Sequence, residues 1–352
     1  AGADPRGTAF GVYALLEKLG CSFHLSGNAL PPPRESAFGF DGWNLADQPL
    51  VRERLVFNWH NFLSGCSTWN LADWQRWTAQ SQKMGYNAIM VHAYGNNPMA
   101  GFTFDGTAKP VGYLSTTIKG RDWSTMHVSD VRRLFGGEVF TAPAFGADAG
   151  LVPDADRVSA AQSLMRAVFA DAAQRAMGVY FAVDVDTPSA NPQELILRLP
   201  VSARFEVSGA TSTVAGGSPG RIWVPNPDTP EGFAFYRAQV EGLLRVYPHI
   251  TTLVVWFRAG GTPWMELKPA DLPATWQREF SAEIARTPEA EKYWRAPGLF
   301  AVGKIVRAFD RALKDGGASG VRLTAGTWRF DFLPGANRFF PAGVPLIGLD
   351  YE

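Results

Sequence analysis

The chain has few cysteines, no surplus of either charge and no long apolar run. Cys21 and Cys66 are its only cysteines among 352 residues, too few for a disulfide framework, so they do not indicate a compartment. Lys plus Arg and Asp plus Glu number 33 each, which argues against nucleic acid or an acidic lipid surface as partner. No run of about 18 apolar residues predicts a membrane span, and no signal peptide is recognised.

Several motifs of cofactor and nucleophile chemistry are also missing. The sequence contains neither GxGxxG nor GxxxxGK[ST], the glycine-rich loops that bind nucleotide phosphates. It lacks HExxH, CxxC and a close pair among its five histidines, so we predict no metal site. GxSxG is absent, and Cys66 has only His60 near it in sequence, so neither a nucleophilic serine nor a nucleophilic cysteine is indicated. Carboxylate chemistry remains, and no cofactor is expected.

Aromatic residues are abundant instead. The chain has 12 Trp, 24 Phe and 9 Tyr without a matching excess of positive charge. Such rings suit stacking on the faces of sugars, but a protein of this size also buries many aromatic side chains in its core. Composition alone leaves both interpretations open.

The first 48 residues are predicted to form a small unit of their own. Apolar residues at helical spacing follow Pro5 and Thr8 and stop at Gly20, which predicts a helix. A strand-like segment follows it, and the proline-rich stretch 29–36 predicts a linker. We interpret residues 1–48 as the end of a small α/β domain plus this linker. Because the sequence opens without Met and closes on a strand, we expect it to be a fragment of a longer protein.

Residues 49–352 alternate between short apolar strands and longer helices. This order predicts an α/β fold with parallel strands and helical crossovers, interrupted by a hairpin turning at Asp105-Gly106 and a small β insertion around 215–220. Six strands can be counted, so we predict a (β/α)8 barrel of the TIM type, truncated after about the sixth strand. A doubly wound sheet is the alternative, and the missing phosphate loop after the first strand counts against it.

Polar and aromatic side chains follow every predicted barrel strand. Sites of such barrels lie at the C-terminal strand ends, and a sugar site needs amides and charges for hydroxyls and rings for sugar faces. The predicted substrate-binding residues are Trp59, His60, Asn61, His92, Tyr94, Asn97, Asp186, Arg258, Trp264 and Trp328. Arg258 could bind a uronic carboxylate through two hydrogen bonds, which would make the substrate acidic, or form an ion pair with Asp186.

The third predicted strand ends in two carboxylates, Asp184 and Asp186. Alternate side chains of a strand share a face, so both aspartates point inward while Phe181, Val183 and Val185 face the helices. Catalytic carboxylates must lie on either side of the sugar, and they usually come from different strands. We therefore interpret Asp184 as a buried, hydrogen-bonded strut and Asp186 as a contact at the rim.

Several segments resemble a group of glycoside hydrolases that includes the α-glucuronidases and α-N-acetylglucosaminidases. GTAFGVYALLEKLG is similar to the last helix of the small α/β domain preceding their barrel, and LADWQRWTAQSQKMGYNAIMVHAYGNNPM to their first barrel helix and second strand. GGEVFTAPAFGADAG resembles the segment before the third strand of the α-N-acetylglucosaminidases, and AMGVYFAVDVDTPSANP that strand itself. The resemblance implies a hydrolase acting on glycan or polysaccharide ends by paired-carboxylate chemistry, with a carbohydrate partner and a secreted or periplasmic location.

The resemblance also implies where the catalytic carboxylates lie. The α-glucuronidases carry a carboxylate at the end of the sixth strand, and Asp350 with Glu352 matches that place as base or nucleophile. Their general acid follows the fourth strand, where this chain reads WFRAGGTPW without a carboxylate, so Glu266 is the nearest candidate. Because of this departure, a carbohydrate-binding barrel without catalysis is the alternative function.

Overall fold

The structure is a computed structural model that describes residues 2, 4–33, 39, 44, 46, 48–57, 69–95, 97–111, 154–209, 220–257, 267–292, 295–328 and 333–349. Its helices are α1 (Pro5–Lys18), α2 (Leu71–Lys83), α3 (Arg157–Gln174), α4 (Gln193–Ile196), α5 (Pro230–Val246), α6 (Ala274–Arg286), α7 (Ala296–Asp315) and α8 (Ala336–Phe339). Its strands are β1 (Ser22–His24), β2 (Gly27–Ala29), β3 (Leu55–Phe57), β4 (Ala88–Ala93), β5 (Thr103–Phe104), β6 (Thr107–Ala108), β7 (Gly178–Asp184), β8 (Arg204–Gly209), β9 (Gly220–Pro225), β10 (Thr252–Phe257), β11 (Arg322–Thr327) and β12 (Leu346–Gly348). Short 3₁₀ turns lie at Pro98–Ala100, Asp154–Asp156, Pro188–Ala190, Val201–Ala203, Pro269–Asp271 and Pro288–Lys292.

Six parallel strands form the central sheet in the order β12-β11-β10-β7-β4-β3. Apart from the inserted hairpins β5–β6 and β8–β9, these strands occur in the same order in the sheet as along the chain. A doubly wound sheet reverses its strand order at a switch point, and this sheet does not. The predicted parallel α/β sheet is confirmed, and the doubly wound alternative is wrong.

The two faces of the sheet have different neighbours. On one face, side chains such as Val91, Phe181 and Val255 belong to the large core that also contains the buried stripes of the helices. On the other, Met90 and Ala182 belong to a separate cluster built only from strands and the residues beside them. Right-handed crossovers between sequential strands put their helices on one face, which explains this division.

The sheet curls around its helix-free face. Phe57 at the end of β3 lies 5.9 Å from Trp328, which follows β11, between ring centroids. These strands are four neighbours apart in the sheet, so a flat sheet would separate them by about 19 Å at about 4.8 Å per strand. The six strands therefore form a half-barrel, and we call the space on its inner face the lumen.

Local sequence signals account for several element ends. Asn70 is the N-cap of α2 and shares a capping box with Asp73. The hairpin β5–β6 turns at Asp105 and Gly106, both with positive φ, as a type I′ turn requires. The sequence pattern of residues 157–177 predicts a helix as far as Met177, but α3 ends at Gln174, because the backbone at position 176 turns left-handed with φ of 56°. The antiparallel pair β8–β9 is the predicted insertion.

The N-terminal helix and hairpin are attached to the half-barrel through α2. The side-chain amide of Gln80 donates to the backbone oxygen of His24 at 2.8 Å and lies 3.1 Å from Asn28 Oδ1. The second strand of this hairpin, β2, was not predicted, because it is short and mostly exposed. A domain boundary at residue 48 stays a prediction.

A polar network, which we call the basal network, closes the N-terminal end of the lumen. The Tyr180 hydroxyl donates to Glu53 at 2.6 Å and accepts from Arg322 at 2.8 Å. Arg322 also donates to the second carboxylate oxygen of Glu53 and, at 3.4 Å, to Thr252. Hydrogen bonds from Tyr180 and Arg322 hold the pKa of the Glu53 carboxyl below its ordinary value, whereas burial raises the pKa of Tyr180. The network joins β7, β10 and β11 to the residues before β3.

Tyr180→Phe is expected to destabilise the protein by roughly 1–2 kcal/mol, because it removes the hydroxyl that links Glu53 to Arg322. Urea unfolding measures the loss. Tyr86→Phe is the matched control, since the hydroxyl of the half-buried Tyr86 makes no hydrogen bond within the described residues. Equal losses in both variants would show that the network contributes nothing.

Candidate functional site

Five inner-face side chains meet at the C-terminal end of the sheet, and we call them the lumen cluster. They are His92, Tyr94, Asp184, Trp256 and Trp328. They come from the ends of four strands or from the residue just beyond, with His92 and Tyr94 both from β4, on the parity that points away from the helices. All five are at most 4% exposed, so the cluster lies below the rim of the half-barrel.

His92 and Asp184 form a buried pair across neighbouring strands. His92 Nε2 lies 2.8 Å from Asp184 Oδ1, and neither side chain is exposed. Asp184 thus has the buried, hydrogen-bonded position predicted for it, and His92 is the partner that the sequence did not identify. An imidazole held by a carboxylate can store or transfer a proton.

Three aromatic rings surround this pair. The Trp328 ring lies 5.0 Å from the His92 ring and 4.9 Å from the Trp256 ring, both nearly edge to face. Tyr94 lies 4.5 Å from His92 and is nearly parallel to Trp328 at 6.5 Å. The rings fix the position of the imidazole and give the upper lumen an aromatic lining.

Gly326 leaves room for one of these rings. It pairs with Trp256 in the register of β10 and β11. A Cβ atom at position 326 would lie 2.4 Å from Cζ3 of the Trp256 ring, far inside van der Waals contact. The close approach of the indole to β11 therefore requires glycine at this position.

The cluster also contains a buried donor and a buried acceptor on neighbouring strands. Asp184 and Trp256 are register partners on β7 and β10. Within the described part of the chain, Asp184 Oδ2 and Trp256 Nε1 are buried without a hydrogen-bond partner. Buried polar groups are normally satisfied, so a small ligand with a hydroxyl group, or a water, suits this place.

Lys109 brings a positive charge to the same region. It follows β6 in the hairpin after β4 and is 4% exposed. Burial lowers the pKa of Lys109 to about 8, and the charge of the Asp184 carboxylate opposes that effect. The lysine therefore stays mostly protonated at pH 7. Nothing in the sequence pattern indicated it, because the direction of an inserted hairpin is not encoded in strand parity.

Two other predicted ligands, Asn97 and Asp186, are buried nearby. Asn97 Oδ1 accepts from the backbone N–H of Met99 at 2.9 Å and caps a 3₁₀ turn. Asp186 lies two residues beyond Asp184 and is fully buried. The loops carrying them pack tightly, since a Cβ atom at Gly95 would lie 2.3 Å from a backbone nitrogen of the neighbouring loop. Roles of these residues in substrate binding stay predictions, as they do for His92, Tyr94 and Trp328.

The remaining predicted site residues lie outside the described residues. They are the ligands Trp59, His60, Asn61, Arg258 and Trp264 and the catalytic candidates Glu266, Asp350 and Glu352. Trp256 was not predicted as a site residue, although its inward parity and its pairing with Asp184 mark it. Among the residues that the structure describes, no cluster of three His, Cys, Asp or Glu side chains could hold a metal ion, and no helix is long and apolar enough to span a membrane.

No family model matches the chain, and no curated protein sequence matches it. Solved structures give distant matches. One is the pneumococcal virulence factor StrH, with a TM-score of 0.40 and 9% identity over 84% of this chain and 58% of that one. Another is a GH20 β-N-acetylhexosaminidase from Streptomyces coelicolor A3(2), with a TM-score of 0.34 and 12% identity over 85% of this chain and 48% of that one.

The chain thus spans 58% and 48% of the lengths of these two structures. A GH20 exo-β-N-acetylglucosaminidase from Vibrio harveyi matches less, with a TM-score of 0.27 and 13% identity over 53% of this chain and 28% of that one. These named enzymes are not α-glucuronidases, so the finer resemblance of the sequence gains no support from them. At these TM-scores and identities, the likeness carries no argument about function.

Proposed function

We propose that this chain is part of the catalytic barrel of a glycoside hydrolase that acts on the ends of glycans or polysaccharides. The lumen cluster is the observation that carries the proposal: aromatic rings around a carboxylate–imidazole pair, at the C-terminal ends of parallel strands. Rings stack on sugar faces, while Asp184 Oδ2 and Trp256 Nε1 suit a sugar hydroxyl. In this proposal the six strands belong to a (β/α)8 barrel, and residues 1–48 end a preceding small α/β domain.

Hydrolysis needs two carboxyl groups on either side of the scissile bond, about 5–9.5 Å apart. Asp184 ends β7 and Asp186 follows it two residues later, so both carboxylates come from one strand end, whereas catalytic carboxylates flank the sugar and usually come from different strands. We therefore assign the base or nucleophile to Asp350 or Glu352 and the general acid to Glu266. Asp186 would contact the substrate or Arg258 at the rim, and an acidic sugar is the finer form of the proposal.

A non-catalytic carbohydrate-binding barrel is the second candidate. One observation favours it: the two buried carboxylates that the described residues bring to this region, Asp184 and Asp186, both belong to the end of β7 and the segment just after it. In addition, residues 256–265 contain no acidic side chain where the resembling α-glucuronidases carry their acid. Binding of sugars without turnover would distinguish this function from hydrolysis.

A panel of aryl glycosides tests the proposal, with α-glucuronides and α-N-acetylglucosaminides beside neutral α- and β-glycosides. We expect release of the aryl group from at least one class, and Trp328→Ala is expected to lower kcat/KM roughly tenfold or more, because it removes a ring that lines the lumen. Calorimetric titration with the free sugars measures binding independently of turnover.

Trp223→Ala is the matched control for this assay. Trp223 is partly buried, and it lies on β9 in the inserted hairpin, where it packs against Arg204. We expect it to leave kcat/KM unchanged. If the protein neither hydrolyses nor binds any sugar of the panel, both candidate functions are wrong; if acidic and neutral glycosides react equally, the acidic-sugar form is wrong.

A further inference from the structure

A cleft on the outer side of the sheet lies between α6, α7 and α8. Its volume is about 380 Å³, which is in the lower part of the usual range for small-molecule sites. None of the residues that line it belongs to the lumen cluster, and its two aromatic residues, Phe300 and Phe339, belong to the large core on the helix side. We call this space the helix cleft, and it is separate from the lumen.

The close packing of α8 on α7 forms one wall of the helix cleft. A Cβ atom at Gly303 would lie 2.3 Å from the backbone oxygen of Phe339, so this approach of the two helices requires glycine. The Phe339 ring then meets the Phe300 ring edge to face at 5.9 Å, and both rings are nearly buried. This contact brings Arg338, the neighbour of Phe339, to the same cleft as Arg307, which follows Phe300 by two turns of α7.

The carboxylates of the helix cleft already have positive partners. Glu279 accepts a hydrogen bond from the nearly buried Lys304, whose ammonium also donates to Asp228 at 2.7 Å. Glu283 Oε2 lies 3.6 Å from Nη1 of Arg286, one turn further along α6. Because both acidic side chains of the lining are paired with a cation, the cleft is not suited to a cationic ligand.

Two further guanidinium groups of the lining, those of Arg307 and Arg338, have no such partner. Within the part of the chain that the structure describes, neither makes a hydrogen bond or an ion pair, and both residues are exposed. A guanidinium is always charged, and its planar set of N–H donors matches the oxygens of a carboxylate or phosphate group. We propose that the helix cleft binds a small anion through Arg307 and Arg338, and that a carboxylate or phosphate group is the chemistry recognised.

Arg286 can become a third donor to this anion. Its side chain is 75% exposed, and its pair with Glu283 at 3.6 Å is an exposed ion pair of the kind that contributes little to stability. An entering anion can therefore compete with Glu283 for the guanidinium. The inference goes beyond the proposed function and does not depend on it, because no residue of the lumen takes part.

NMR titration of the arginine Nε–H resonances tests the site, with inorganic phosphate and acetate as separate probes at constant ionic strength. The resonances of Arg307 and Arg338 should shift and saturate with at least one probe. Arg307→Gln and Arg338→Gln should each weaken binding roughly tenfold, because each removes hydrogen bonds between charged groups. Arg278→Gln is the matched control, since Arg278 is exposed on α6 beside Glu279 but does not line the cleft.

Ala282 allows a second test that leaves both arginines in place. It is exposed on α6 and lines the cleft, so Ala282→Glu should weaken binding of the probe and Ala282→Lys should strengthen it. Binding of phosphate alone, acetate alone or both supports the site and identifies the group that it recognises. Two results would overturn the inference: no saturable shift with either probe, or binding that is unchanged when Arg307 and Arg338 are both replaced by Gln. Neither result depends on sugar hydrolysis, so failure of the proposed function is a separate outcome.

Discussion

Lys109→Met is expected to stabilise the protein at pH 7 and to lose this advantage above pH 10.5. Burial lowers the pKa of Lys109 from 10.5 to about 8, and this value already includes the attraction of Asp184. Between pH 8 and pH 10.5 the Lys109 side chain keeps its proton in the unfolded chain and has released it in the folded chain. The free energy of unfolding of the unchanged protein therefore rises with pH across this window. The difference between the two pKa values corresponds to a loss of about 3 kcal/mol in the free energy of unfolding at pH 7, at about 1.4 kcal/mol per pKa unit.

Methionine has a similar length and no charge, so it avoids the cost of burying an ammonium group. Urea unfolding of both proteins at pH 7, 9 and 11 measures the effect as a difference, in which the titration of other groups cancels. Lys314→Met is the control, because Lys314 is 72% exposed on α7 and its ion pair with Asp310 lies at the surface. A difference between Lys109→Met and the unchanged protein that stays constant with pH would contradict the expectation.

Gly326→Val is expected to destabilise the protein by roughly 3 kcal/mol, the upper part of the usual range for overpacking. The new Cβ would lie 2.4 Å from Cζ3 and 2.5 Å from Cε3 of Trp256. This ring has little room to retreat, because Trp328 lies 4.9 Å from it and His92 5.5 Å. We therefore expect weaker near-ultraviolet circular dichroism from the tryptophans together with the lower free energy of unfolding.

Gly320→Val is the control for this change. Gly320 precedes the same strand, and a Cβ atom there would meet nothing within 4 Å. Its substitution is expected to alter the free energy of unfolding by less than about 0.5 kcal/mol, as surface changes usually do. If Gly326→Val were no worse than this control, the Trp256 ring would be free to move, and the lumen cluster would not be the rigid assembly described above.

Local signals in the sequence were enough to predict the elements of the sheet. Apolar runs gave β4, β7 and β10, and the residues at Asn70 and Asp105-Gly106 have local conformational preferences strong enough to set a helix start and a hairpin turn. The exposed strand β2 carries no such apolar run and was not predicted. The end of α3 depends on a left-handed residue at position 176, which is an alanine and gives no warning in the sequence.

The site was predicted only in part, for a similar reason. Strand parity correctly separates Phe181 and Val183 on the helix side from Asp184 on the lumen side. Parity does not give the register between strands, so it could not pair His92 with Asp184. Nor does it give the path of an inserted hairpin, which is why Lys109 was not foreseen. Contacts between distant segments depend on how the whole sheet curls, and no single segment encodes that.

The sequential strand order has a consequence for the route by which the protein folds. The strands of the sheet follow one another in chain order, apart from the inserted hairpins, so each pairing closes a shorter loop than a contact across the whole sheet does. The contact between Phe57 and Trp328 instead closes a loop of nearly the whole barrel sequence, which is entropically the most expensive step and rewards the chain only once the strands between them are in place. We infer that the lumen cluster consolidates after the folding transition state. Substitutions there, Gly326→Val among them, should accelerate unfolding and leave the rate of folding nearly unchanged.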